Sequence, residues 1–365
     1  MNMRLLLLAK TAVLAFGVML SVACSTGGAV SEEISIRNPA FSADSNTLLF
    51  DYCKGSECDL VAYSIEGKQF YRLVPAEHEL LFAGASAGGA PNLLAGVLRF
   101  RKSDFTSYPQ IVLIDLNSNT YRRLTDDPSH KYGPSLSFDN KSVAYIQSHR
   151  QRTWFSGSPR ATGWDVHVLD TRSGVDTRAT NYCFYALSKP FIAPDNGDLI
   201  FSGEGAMCNY PETATTASEL NYKAYREQFG EDNIIRFGSG RPHLEPWLTT
   251  RWKHASGPSI ARNGDVLFYS RTNELDGIQK GYYNYDLFLK RGEQLTRLTW
   301  LKSFLGGSAL APDSRYAAYI SDPQRDRQTS LWLLNIETGE TQQVSLVPLM
   351  VEFDRLSVRM VGEAQ

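Results

Sequence analysis

Beyond its first two dozen residues, the 365-residue sequence has no apolar run long enough to cross a bilayer as a helix, which takes about 20 residues. It has no excess of positive charge either. There are 37 Lys and Arg against 39 Asp and Glu, and no basic stripe stands out, which argues against nucleic acid as a partner. Cysteine is scarce, with five in the chain, and none has the CxxC spacing or matched histidine pair of a zinc site. No metal and no cofactor is therefore expected. Nor is there an alternating strand-and-helix pattern of the kind an α/β enzyme needs. What the chain does have is 12% aromatics with 28 Gly and 16 Pro, a composition that suits a compact, strand-rich globule.

The opening residues form an export signal. Met1-Asn-Met-Arg4 is followed by apolar stretches at Leu5–Leu8 and Thr11–Val22, with charge only at Arg4 and Lys10. The stretch ends Leu20-Ser-Val-Ala23-Cys24, which resembles the lipobox of bacterial lipoproteins, with its leucine one place further out than usual. That resemblance implies cleavage before Cys24 and lipid on its sulfur. The alternative is an ordinary signal cut after Ala23 that leaves Cys24 free. Residues 1–23 are then the signal and 24–35 a lipidated linker, which spans at most roughly 35–40 Å. Ser25 stands where an aspartate would favour inner-membrane retention in the enterobacterial scheme, so the expected location is the outer membrane, facing the periplasm. Without the signal, 35 basic and 39 acidic side chains remain. Four cysteines also remain, and in an oxidising compartment they are expected to form two disulfides, Cys53–Cys58 and Cys183–Cys208. The first would close across a tight turn; the second would face across a hairpin through Asp195-Asn196-Gly197.

The strongest signal in the rest of the chain is self-similarity. Pro39-Ala-Phe-Ser-Ala-Asp44 returns as Pro134–Asp139, Pro190–Asp195, Pro258–Asn263 and Ser308–Asp313, each followed by an alternating apolar run. A second unit follows, as in Ile111–Leu116 ending in Leu124-Thr125, or Leu287–Lys290 ending in Leu298-Thr299. Both units read as hairpins. Two hairpins make a four-stranded sheet, and a period of roughly 40–50 residues builds a propeller. The expected architecture is all-β: a six-bladed propeller of four-stranded antiparallel blades over 36–346, with a short helical insertion in blade four at Ala217–Phe229. The blades fall at about 34–75, 78–126, 129–180, 183–250, 253–300 and 303–346, with only the outer hairpin clear in the second. In the segment 347–365, Val347–Met360 alternates well enough for an extra strand. The Phe-Ser-x-Asp and Leu-x-Asp-Leu…Leu-Thr units resemble the repeats of the TolB-like β-propeller family over about 34–346. The resemblance implies the fold and says little about function.

In such a propeller, the connections between the second and third strands share one face with the connections between blades. The long segments gather there: Arg101–Tyr108, His149–Gly163, Gly203–Arg241, Arg271–Tyr283 and Ser321–Ser330. Long loops on a rigid frame carry recognition, so this is the candidate binding face. Its candidate residues are His130, Arg150, Arg152, Trp154, Arg241, His254 and Tyr283. Guanidinium forks beside aromatic rings suit carboxylates and sugar faces, although such a loop can equally tuck its rings under a neighbouring blade. His130 and His254 both lie four residues before a repeat proline, so they occupy equivalent places in alternate blades; the plainer reading of both is a polar cap. Gly84-Ala-Ser86-Ala-Gly88 matches the nucleophile-elbow pattern, but its neighbours lack the helix, the oxyanion loop and the later acid–His pair, so no catalytic residue is assigned. The expected function is a non-catalytic binding or scaffold role in the cell envelope, with an envelope protein or glycan as partner and the membrane reached through the lipid anchor. The alternative is a propeller-type, lyase-like carbohydrate enzyme acting on an acidic oligosaccharide.

Overall fold

The computed structural model describes residues 34–54, 57–75, 79–85, 90, 92–101, 107–153, 159–206, 233–238, 245–247, 254–273, 276, 284–322, 329–352 and 358–363. The leader with Cys24, the linker up to residue 33, Trp154, Cys208, the helical insertion expected at Ala217–Phe229, Arg241 and Tyr283 lie outside them.

The chain is all-β, and its described residues run through six antiparallel meanders. The first comprises β1 (Ile34–Phe41), β2 (Thr47–Lys54), β3 (Glu57–Ser64) and β4 (Gln69–Pro75). The second comprises β5 (Glu79–Ala85), β6 (Leu93–Arg101), β7 (Ser107–Asp115) and β8 (Thr120–Arg123). It is complete, inner hairpin included, although its sequence lacks the proline-to-aspartate unit. The third comprises β9 (Lys131–Leu136), β10 (Ser142–Thr153), β11 (Pro159–Asp170) and β12 (Asp176–Arg178). In the fourth, the inner strand is broken into β13 (Phe184–Leu187) and β14 (Phe191–Ile192), followed by β15 (Leu199–Ala206), β16 (Asn233–Phe237) and β17 (Glu245–Pro246). The fifth comprises β18 (Ser256–Ile260), β19 (Val266–Arg271), β20 (Tyr285–Arg291) and β21 (Gln294–Arg297). The sixth comprises β22 (Phe304–Leu310), β23 (Tyr316–Asp322), β24 (Ser330–Asn335) and β25 (Thr341–Val344).

Both faces of these sheets are buried, which explains why Leu48-Leu49-Phe50 is continuously apolar. Leu48, Phe50 and Tyr52 of β2 pack with Ala309, Ile320 and Leu331 of the sixth meander. Leu49 lies on the opposite face and packs with Leu94, Leu98 and Val112 of the second. Separate apolar clusters join the second to the third, the third to the fourth, the fourth to the fifth and the fifth to the sixth. Each fully buried side chain of this size contributes roughly 1.5–3 kcal/mol.

The repeated polar letters have local work to do. In Phe-Ser-x-Asp, the Ser42 hydroxyl donates to Asp44 and accepts from Thr47 N, while Asp44 accepts from Asn46 N. Ser137 and Asp139 repeat the arrangement, a side-chain-stapled turn. The Leu-Thr ending is a clasp. Thr180 Oγ1 accepts from Val166 N and donates to buried Asp165, which also takes Arg178 and Tyr182 N. Thr299, Leu287 N, Asp286, Arg297 and Leu301 N form the same set in the fifth meander. Cys53 and Cys58 sit opposite each other at the end of the β2–β3 hairpin and are disulfide-bonded. Cys183 is also disulfide-bonded, and its neighbour Phe184 is paired in register with Ala206.

Two expectations are corrected. His149–Gly163 is not simply a loop, because β10 and β11 stay paired as far as Thr153↔Pro159 and make an extended two-stranded arm. Val347–Met360 is not one strand. Val347–Glu352 forms the short helix α1, and β26 (Val358–Glu363) then runs parallel to both β4 and β8, joining the outer edges of the first two meanders. Among the described residues, no helix is long and apolar enough to cross a membrane.

Candidate functional site

Proline cannot donate to a ladder and pushes the preceding residue out of ordinary helical space. At the repeat prolines, the inner strands respond with an irregularity. Register shifts between Arg37 and Ala40 in β1, between Ser256 and Ser259 in β18, and opposite Ala144–Ile146 in β9. The residue before the proline takes a positive φ in each case: 52° at Asn38, 61° at Gly133 and 59° at Gly257. In the fourth meander, Ser188-Lys189-Pro190 interrupts the inner strand outright. These bulges line one cavity of about 260 Å³, bounded by the first, third, fourth, fifth and sixth meanders.

Among the described lining residues, Lys189 is the cation. The chain on either side of it is pinned: Tyr132 donates to Leu187 O at 3.1 Å, Ser135 donates to Pro190 O, and Ser188 Oγ accepts from Ser202 N at 2.9 Å. The ammonium lies 5.2 Å from the Phe191 ring centroid. Enclosure lowers its pKa from 10.5 to about 8, outweighing the attraction of the Asp51 carboxylate. Asp51 itself is held by Asn38 Nδ2 at 2.6 Å. The sequence reading missed Lys189. The signal was there: a long cation stands before the repeat proline where other units carry Asn38, Gly133 and Gly257.

The expected face residues that are described lie on separate segments. Arg150 and Arg152 lie on the β10–β11 arm, paired in register with Thr162 and Arg160. His130 is exposed just before β9, and its carbonyl accepts from Ser148 N at 3.0 Å. Partial burial, then the charges of Lys131 and Arg99, hold its imidazole below the usual range. His254 precedes β18 with φ 56°. Among the described residues, no group of three His, Cys, Asp or Glu is placed to hold a metal.

At the base of the arm runs a network not foreseen from the sequence. Tyr145 donates to Asp176 at 2.8 Å, Asp176 meets His167 Nδ1 at 2.9 Å, and His167 Nε2 meets His149 Nε2 at 2.9 Å. Burial, then the charges of Arg178 and His167, depress His149 to about 4. The strand alternation of residues 145, 147 and 149 puts this network on the face of the third meander that packs on the second. It is a relay of polar groups running from buried Tyr145 and His167 to half-buried His149 and exposed Asp176, neutral at His149 near pH 7. The Gly84–Gly88 pattern falls where β5 ends and the chain turns back into antiparallel β6, with Gly84↔Ala95 paired. A nucleophile elbow leads into a helix, so the strand before this pattern leads to the wrong element.

No protein-family model matches the sequence, and no curated protein is significantly similar to it. Solved structures are similar in fold. TolB from Acinetobacter baumannii superposes with a TM-score of 0.57 at 15% identity, covering 91% of this chain and 67% of that one. An oligogalacturonate lyase in complex with manganese gives 0.50 at 13% identity, over 86% and 78%. Pyrococcus horikoshii acylaminoacyl peptidase gives 0.51 at 14% identity over 88% of this chain, which spans only 46% of the peptidase. The fold is TolB-like. Similarity at this level of identity concerns the fold alone, and that fold is shared by proteins of unlike activity.

Proposed function

We propose that the six meanders close into one propeller and that it serves the cell envelope as a non-catalytic binding or scaffold protein. In this reading Cys24 carries lipid in the outer membrane, the propeller faces the periplasm, and an envelope protein docks on the edge bearing the long connections. The paired β10–β11 arm carries the reading: its strands run for twelve residues each, against nine in β6 and β7, and they set Arg152 opposite Arg160 with Arg150 two rows away. Support for ring closure comes from the six apolar clusters, one of which joins the sixth meander to the first.

The test is crosslinking and pull-down from envelope membranes with the lipidated chain. Arg150→Glu, Arg152→Glu and Arg241→Glu together are expected to release the specific partner, while Lys141→Glu on the turn edge keeps it. Retention of every partner by the triple variant would show the wrong face was chosen. Metabolic labelling with a palmitate analogue should mark the wild type and not Cys24→Ser; equal labelling would remove the anchor. The carbohydrate-lyase reading of His130 and His254 is checked in the same preparation, by turnover of acidic oligosaccharides and by loss of that turnover in His130→Gln and His254→Gln.

A further inference from the structure

The central cavity has walls of one kind and donors of another. Its lining is mostly ring and aliphatic carbon, including Pro39, Phe41, Pro134, Leu187, Pro258 and Leu310. One polar side chain on it lacks a direct partner. Among the described residues, no acceptor lies within hydrogen-bonding distance of the Lys189 ammonium, which meets the Phe191 ring and feels the Asp51 carboxylate only through space. A charge in mostly apolar surroundings is costly unless it is paired.

We infer that the cavity is a binding site for a small apolar monocarboxylate, with Lys189 as its hydrogen-bonding partner. Three observations set the chemistry. The walls call for an apolar body. The volume, about 260 Å³, falls just below the usual range for small-molecule pockets and excludes a folded partner. The ammonium has no direct acceptor among the described residues, so a single carboxylate can meet it, whereas a phosphate dianion would bring a second negative charge towards the Asp51 carboxylate. The pinning of Leu187, Ser188 and Pro190 holds the ammonium in place before any ligand arrives, which limits the ordering cost of binding. This site is internal and independent of the partner face proposed above.

The test is a fluorine NMR titration of the full-length chain with 4-fluorobenzoate and, separately, with neutral 4-fluorobenzamide. Saturable binding of the acid is expected, tighter than the amide by about tenfold or more, as a charge-assisted contact requires. Lys189→Met should weaken the acid by a similar factor and leave the amide unchanged. Arg150→Glu with Arg152→Glu should leave acid binding unaltered, which separates this site from the partner face. No saturable binding, equal affinity for acid and amide, or undiminished binding by folded Lys189→Met would overturn the inference. The acid–amide comparison uses wild-type protein, so it decides the matter even if a variant does not fold.

Discussion

Replacing Asp286 by alanine removes four acceptor contacts from the interior of the fifth meander at once. The side chain has no exposed surface. It accepts from Thr272 Oγ1 at 3.0 Å, Arg297 Nη2 at 2.7 Å, Thr299 Oγ1 at 3.0 Å and Leu301 N at 2.6 Å. Each buried donor left unmatched costs about 1–3 kcal/mol. Two of the four have partial alternatives. Thr272 Oγ1 also approaches Asn284 O at 3.4 Å, and Arg297 keeps a two-pronged pair with Asp276 at 2.7 and 2.9 Å. The Arg297 charge is therefore not stranded, and the loss should fall near 3–4 kcal/mol, within the range for a broken buried pair. In a urea titration with a slope of about 3 kcal/mol per molar, the midpoint should drop by roughly 1 M. Asp313→Ala, which breaks the largely exposed pair with Arg315 at 2.6 Å, should cost about 1 kcal/mol or less. Thr299→Ala combined with Asp286→Ala should cost less than the two singles together, because the hydroxyl and carboxylate belong to one network. A midpoint for Asp286→Ala within about 0.3 M of wild type would refute the clasp as a source of stability.

His149 is depressed from 6.5 to about 4, so between those values the unfolded chain takes up a proton that the folded chain refuses. Stability should therefore decline as pH falls from about 6.5 towards 4, by about 1–2 kcal/mol once solvent screening of this half-buried ring is allowed for. His149→Gln should flatten the dependence, read from urea midpoints at pH 7.5 and 4.5; parallel pH slopes in variant and wild type would count against it. Gly257→Ala places a methyl carbon 2.3 Å from Tyr269 Cε1 at a φ of +59°, and a loss of about 2–3 kcal/mol is expected. Gly264→Ala, at φ +84° with nothing within 4 Å, should lose only about 1 kcal/mol; equal shifts in thermal unfolding would show that the tyrosine contact is immaterial. Removing the Cys53–Cys58 link, which spans five positions, should lower stability by about 2 kcal/mol through the unfolded chain. The denaturant midpoint of Cys53→Ala/Cys58→Ala, measured under oxidising conditions that keep the Cys183 bond closed, should fall below that of oxidised wild type; equal midpoints would count against a stabilising role for the link.

Much of the fold is legible along the chain because its causes are local. Alternation of apolar residues, a turn aspartate two places after a serine, and a threonine at a strand end each act over a few residues. They recur in register with the sheets, so strand, turn and repeat can be read from Ser42-Ala-Asp44 or Leu298-Thr299 without knowing what lies opposite. The second meander was harder, since Glu79–Ala85 pairs with Leu93–Arg101 without the proline unit that marks the others. At the C terminus the extra strand is present, but it begins at Val358, later than the alternation suggests. Alternation in Val347–Met360 suggests a strand, but the place of β26 depends on two outer edges, β4 and β8, that lie far back in the chain.

The candidate site divides along the same line. Sequence alone supplied the lipobox-like leader, the Cys53–Cys58 pair, the connections that differ in length, and the arginines within them. It showed Lys189 only as a residue before a proline. The tertiary structure decided that the residues before successive repeat prolines line one cavity, and that the one long cation among them meets no hydrogen-bond acceptor among the described residues. That outcome requires five inner strands, separated by tens of residues, to meet around a common cavity. No periodicity within one repeat encodes such an encounter, because it depends on how the packed sheets are arranged around one another and not on the alternation within any of them.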